Sequence, residues 1–265
     1  MISAWIEGIG LFAPGLVGWS QSAPILAGSE SYTPGTVPKL SPALLAPDVR
    51  RRTTDHIRLA VEVGGEAVQH AGADGSQLWS VFASSDGDGI IMDHICEEVA
   101  KDVPQVSPTR FHNSVNNAPA GYWCMAVQSQ QPSTSLGAYD ASFAAGLLEA
   151  VTQAQVEQAG VLYISHDTPL PEPLHAVRPI ESIFGVALVL APQRSPKSLA
   201  RLTVALEPQL VSLSRLGDAG LEGLRTGNPS ARSLPLLSAV ARRSAGEILI
   251  PYVHSRALRV RVDFA

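Results

Sequence analysis

Two periods organise the hydrophobic positions of this chain. Trp5, Ile6, Ile9 and Leu11 form an apolar run with Gly8 and Gly10 inside it, closed by Pro14-Gly15. That pattern predicts a buried strand and a turn. Residues 19–47 are rich in Ser, Pro and Gly without a period and are expected to form a loop. Beyond Asp48 the spacing becomes helical. Ile57, Leu59, Ala60, Val63, Ala67 and Val68 share one face, and Ala71-Gly72 supplies a stop. Leu78, Val81, Phe82 and Ala83 read as a short strand that enters the turn Ser84-Ser85-Asp86-Gly87-Asp88-Gly89. A helix through Ile91, Ile95 and Val99 follows, so the segment is a βα unit.

The alternation continues. Helices are expected over 118–127 and from about Asp140 to Gln158, with strands near 133–137, 161–164 and 184–190. The intervening Thr168-Pro169-Leu170-Pro171-Glu172-Pro173 is too proline-rich for regular structure. Strands alternating with helices predict an α/β layered fold. The tail is patchier. Leu202, Val204 and Leu206 suggest a strand, residues 214–233 are broken by Gly and Ser, and 234–243 suggest a helix. Leu258, Val260, Val262 and Phe264 alternate with Arg259, Arg261 and Asp263, the signature of a strand with one polar face. No internal repeat is present.

Composition narrows the function. The 265 residues are 45% apolar and 16% charged, enough for one full core. A net charge of −5 argues against nucleic acid or an anionic membrane as partner. The densest basic run, Arg50-Arg51-Arg52, reads as a solvated helix start. No apolar stretch of about 18 residues occurs, so no membrane span is expected. The N-terminus shows no signal-peptide pattern, and the two cysteines, Cys96 and Cys124, form no framework; a cytoplasmic location is expected. Histidines are scattered, and Asp93-His94 with Cys96 has no metal-ligand spacing, so no metal is expected. The 84–89 turn has neither Gly-Lys-Ser/Thr nor a full Gly-x-Gly-x-x-Gly and reads as a tight turn, not a phosphate cradle.

One stretch carries more. Ser114-Val-Asn-Asn-Ala-Pro-Ala-Gly-Tyr-Trp123, then Pro132-Ser-Thr-Ser-Leu-Gly-Ala-Tyr-Asp140-Ala-Ser-Phe-Ala-Ala-Gly-Leu-Leu-Glu-Ala150, resembles the β-ketoacyl synthases of the thiolase superfamily. Asn117, Ala120 and Gly121 match that family's Asn-x-x-Ala-Gly helix, Pro132 the strand entry, and Ser142 and Ala150 the helix after the nucleophile. Trp5–Gly15, the arginine run before a long helix, and Phe184–Leu190 agree in order and spacing. The segment His112-Asn113-Ser114 and the Asp167-x-Pro-Leu-Pro loop are similar to a chain-length-factor-like branch of bacterial aryl polyene biosynthesis. The resemblance implies a thiolase-like layered fold in a single domain, 1–265, with a complete synthase N-terminal half (1–192) and a truncated C-terminal part (193–265).

The departures from the family decide the expected function. A synthase needs a cysteine thiolate at a helix N-terminus. The ungapped register puts Asp140 there, where a structural role as helix N-cap, worth about 1 kcal/mol, is expected. The His-Gly-Thr-Gly-Thr and Gly-His motifs of the family's second half are absent; His166, His175 and His254 stand in other contexts. The resemblance therefore implies a non-catalytic subunit without metal or cofactor. It would form a heterodimer with a catalytic ketosynthase, shape its acyl tunnel and work on chains held by an acyl carrier protein. The segment implied at the tunnel and interface is Arg110 to Met125, with Arg110, Phe111, Asn116, Asn117, Ala118, Trp123 and Met125 as its residues. The alternative from another class is an active thioesterase or decarboxylase in which Asp140 and His112 polarise water. A homodimeric acyl-binding protein is a third.

Overall fold

The computed structural model describes residues 2–207 and 212–264. In chain order it contains β1 (Ile2–Ala13), β2 (Leu16–Val17), α1 (Trp19–Ala27), α2 (Pro47–Arg50), α3 (Asp55–Ala71), β3 (Trp79–Ala83), α4 (Gly89–Val99), α5 (Pro108–Asn113), α6 (Ala118–Val127), β4 (Ser133–Leu136), α7 (Ser142–Glu157), β5 (Val161–Asp167), α8 (Leu174–Val177), β6 (Phe184–Ala191), β7 (Ala200–Glu207), α9 (Ala219–Gly227), α10 (Leu234–Ala241), β8 (Gly246–Pro251) and β9 (Ala257–Asp263).

All described strands lie in one mixed sheet of order β4-β3-β5-β6-β1-β7-β9-β8, with β2 pairing β1. β3 is parallel to both β4 and β5. Every other pairing is antiparallel. The residues after 192 therefore extend the first sheet: β7 pairs β1, and β9 and β8 follow.

Two apolar clusters sandwich the sheet. On one face α7 and α10 pack on Val81, Val161, Tyr163, Leu202 and Val260. On the other, α3 and Trp123 of α6 pack on Phe82, Leu162, Ile164 and Val189. β5 is buried along its whole length, which explains its uninterrupted apolar run. α3 starts at the Thr54 cap and stops at Gly72 in the left-handed conformation. It lies so close to β1 that a Cβ on Gly8 would sit 2.2 Å from the Ala67 carbonyl oxygen, and one on Gly10 2.0 Å from that of Val63. The glycines inside this strand are thus contact points for a helix.

Three expectations need correction. Part of the 19–47 loop is helix α1, which contains Pro24 and has no side-chain cap. It is held by tertiary bonds: the Trp19 N–H donates to Glu66, and Ser238 Oγ donates to the Leu26 carbonyl at 2.8 Å. The Gly-broken 214–233 region contains α9, nucleated by Asp218, whose carboxylate accepts the Gly220 and Leu221 N–H groups at 2.9 Å each. β8, which the sequence pattern did not announce, closes the sheet as its edge.

Candidate functional site: a charge-locked slot

β4, β3 and β5 run in one direction, so their exits meet at one end of the sheet. Open α/β sheets place their sites outside the carboxyl ends of such strands. Here the exits are 137–140, the 84–89 turn and Asp167-Thr168.

Asp140 lies in a 3₁₀ turn, Tyr139–Ala141, that leads into α7. Tyr139 takes φ 53°, a costly conformation for a bulky residue. Ser142 pins the turn: its Oγ accepts the Ala138 N–H at 2.9 Å and donates to the Tyr139 carbonyl at 2.7 Å. The expected cap role of Asp140 is not what the structure contains. α7 begins after Ala141 with no side-chain cap, and the Asp140 carboxylate turns outward. Its Oδ1 accepts from Arg178 Nη1 at 2.6 Å, and Arg178 Nε donates to Asp86 at 2.9 Å. The guanidinium carbon stands 3.7 Å from the centroid of the Tyr139 ring. Burial lowers the Arg178 pKa, but the two carboxylates outweigh it and hold the guanidinium above its ordinary value. One arginine thus locks the 84–89 turn to the Tyr139–Ala141 turn. Its donor sits on the short segment after the proline loop, out of reach of any spacing argument.

Beneath this lock lies Asp167, fully buried at the end of β5. It accepts the Ser85 N–H at 2.7 Å, Ser84 Oγ at 3.1 Å and Ser230 Oγ at 2.6 Å. Burial pushes its carboxyl up, and these donors pull it back. Asn228 completes the knot, donating to the Ser182 carbonyl at 2.7 Å and accepting the Ser230 N–H at 2.8 Å. Residues after 192 are therefore tied directly to the strand ends. On the opposite face of β5, His166 packs against His56 of α3 with ring centroids 4.4 Å apart and ring planes tilted by 39°. Neither nitrogen of His166 has a hydrogen-bond partner. Burial holds both imidazoles below their ordinary pKa; Asp88 partly offsets this for His56, and His56 further disfavours a charge on His166. None of Arg178, Asp86, Asp167, Ser230 or His56 was among the sequence candidates. The one available signal was a His-Asp pair ending an otherwise apolar strand.

The arrangement pairs Asp140 and Asp86 with one cation. Asp140 is bonded to Arg178, while His112 lies edge-on to Tyr122, ring centroids 6.4 Å apart, and no hydrogen bond joins the two. Among the described residues no group of three or more His, Cys, Asp or Glu could hold a metal. No described helix is long and apolar enough to cross a membrane.

The 110–125 candidates divide. Arg110, Phe111, Asn116, Asn117 and Met125 are exposed, Phe111 at 65% and Met125 at 62%. Trp123 and Ala118 are in this chain's own core: Trp123 is wholly buried under α3, and Ala118 packs against Ile57 and Tyr122. Both were expected at the acyl tunnel and partner interface; in this chain by itself their side chains lie in the core. Helical geometry is the cause, because residues 123 and 125 point to different sides of α6. The exposed set continues onto α4 through Ile90, Met92 and Val99, and a cavity of about 420 Å³ opens between Val49, Tyr122 and Met125.

The family profile described as "Beta-ketoacyl synthase, N-terminal domain" matches residues 19–240. The chain belongs to that family. Among solved structures it is similar to a chain of the complex of ketosynthase ApeO with its chain length factor ApeC from Xenorhabdus doucetiae. The two are 20% identical, each chain is covered in full, and the TM-score is 0.74. It is similar to a chain of the ishigamide ketosynthase/chain length factor at 13% identity, covering 99% of each chain, TM-score 0.73. A β-ketoacyl synthase from Burkholderia phymatum is 14% identical, TM-score 0.63, with 92% of this chain covering 71% of that one. These structural superpositions establish the ketosynthase-like α/β fold. No curated protein sequence matches the chain.

Proposed function

We propose that this ketosynthase-like chain is a non-catalytic, chain-length-factor-like subunit. It pairs with a catalytic ketosynthase as a heterodimer and shapes the acyl tunnel in type II polyketide, aryl polyene or fatty-acid-like elongation on an acyl carrier protein. The observation that carries the reading is the charge lock. Where the family places a thiolate, this chain has a carboxylate held by Arg178 and a tyrosine stacked on that arginine. A carboxylate cannot carry the thioester, and one of its oxygens is bonded to a cation. The structural neighbours support the pairing: two of them come from complexes of a ketosynthase and a chain length factor, and another is an acyl-carrier-protein complex with its ketosynthase.

Two surfaces are suited to a partner. β4 stands at an open edge of the sheet, and the apolar residues of α4 to α6 are exposed beside it. Within the chain, 1–192 supplies the synthase-like half and 193–265 a shortened second part. The test is incubation of the purified chain, alone and co-expressed with a ketosynthase, with acyl- and malonyl-loaded carrier protein. Intact-mass spectrometry is expected to show acyl adducts on the partner and none here. An adduct on this chain would overturn the proposal.

A further inference from the structure

The outer side of α3, on the sheet face opposite α7, borders a cleft of about 800 Å³. That is the size of a site for a drug-sized ligand, about 300–1,000 Å³. Its walls combine an apolar surface from Val17, Leu44, Val68 and Val127 with three acidic residues, Glu62, Glu66 and Asp74. No Lys, Arg or His contributes to the lining. The cleft is therefore greasy and negatively charged.

The acids are not equivalent. Glu66 is committed to the fold: it accepts the Leu11 N–H at 2.9 Å and the Trp19 N–H. Glu62, one helical turn earlier, has a buried Oε2 without a hydrogen-bond partner. Burial first, and then the charge of Glu66, push its carboxyl up. Arg50 acts in the opposite direction but spends its guanidinium on the carbonyls of Ser41 and Pro42, at 3.3 and 3.2 Å. Native interiors leave few polar groups unpaired, so an unpaired carboxylate oxygen beside an open cleft is a ready partner for a cation.

We propose that this cleft binds an amphipathic cation, with an aliphatic body against Leu44, Val68 and Val127 and an ammonium head at Glu62. An anionic amphiphile of the same shape would bring its charge beside three carboxyl groups and is disfavoured. The inference does not depend on the role proposed for the Asp140 slot, which lies at the strand ends.

Calorimetric titration of the full chain with decyltrimethylammonium, decyl sulfate and decyl maltoside, all below their micelle concentrations, tests it. The cation is expected to bind at least tenfold tighter than the sulfate, with the neutral detergent between them and the preference shrinking at high salt. Glu62→Gln should weaken the cation at least fivefold while leaving the maltoside unchanged. Gln69→Glu, a change at an exposed position of the same wall, should strengthen the cation and weaken the sulfate. Equal affinity for cation and sulfate would reduce the cleft to an apolar surface and overturn the proposal, as would no binding of the cation at millimolar concentration. If Glu62→Gln melts well below the parent, Gln69→Glu alone decides, and an unchanged cation-to-sulfate ratio in it overturns the proposal.

Discussion

The two ends of the sheet are built on different terms. At the parallel end, β5 is buried from Val161 to Asp167, with helices on both faces. At the antiparallel end, β9 alternates: Leu258, Val260 and Val262 are buried under α10 while Arg259, Arg261 and Asp263 face outward. A strand covered on both faces can carry polar groups only when they are paired or neutral. Asp167 is paired and His166 is held neutral. A strand covered on one face carries its charges at almost no cost. The strand ends that bear the site are consequently the region where single changes should matter most.

The largest expected effect is at Asp167. Asp167→Ala removes the acceptor of the Ser85 N–H and of three serine hydroxyls, those of Ser84, Ser85 and Ser230, and should lower stability by about 3 kcal/mol or more in urea melts. The matching change at the other end, Asp263→Ala, removes a partly exposed partner of Arg261 and should stay within about 0.5 kcal/mol. Similar losses at the two sites would end the comparison. Next, Ile164→Ala, fully buried in β5, should cost about 2–5 kcal/mol, whereas Arg261→Ala on the open face should be near neutral.

Acid should probe the same contrast. The folded-state pKa values of His56 and His166 are lowered. Below about pH 6.5 the unfolded chain binds protons that the folded chain refuses, so stability falls as pH drops. The slope approaches about 1.4 kcal/mol per pH unit for each proton. Asp167, whose carboxyl is raised, acts with the opposite sign: its contribution is lost as pH rises above the ordinary carboxylate value. Comparing the parent with His166→Phe between pH 7 and 5 isolates the imidazoles, and the variant should show a flatter profile. An unchanged profile would mean that the pair titrates as in solution.

Two smaller effects concern the site surface. With a partner ketosynthase, Phe111→Ala and Met125→Ala should shift products by roughly one two-carbon unit, the scale set by about 1–3 kcal/mol of steric strain. The exposed Leu206 at the antiparallel end, changed to Ala, should leave product lengths alone. Mass spectrometry of released chains distinguishes these outcomes. Finally, Asp140→Asn breaks an ion pair whose carboxylate is 45% exposed and should cost about 1 kcal/mol or less. A loss near 3 kcal/mol would show that the charge lock carries the fold.

The sequence by itself determined the elements with clean periods. α3, α6, α7, β3, β5 and β9 stand within a few residues of where hydrophobic spacing puts them, because each buries a face that its own residues define. It also determined that position 140 is an aspartate and that the family's histidine motifs are missing. What it could not determine depended on distant partners. Helix α1 has weak local credentials, with a proline inside and no side-chain cap, and exists because Glu66 and α10 hold its two ends. Asp140 had the residue type of a cap, yet its carboxylate found a stronger partner 38 residues away in Arg178. Trp123 had the bulk of an interface residue, yet the face of α6 that meets α3 was fixed only when both helices packed on the sheet. Local patterning sets which elements form and which face is apolar. Charge pairs and shared cores link residues far apart in the chain, so only the folded chain decides which of its polar groups meet.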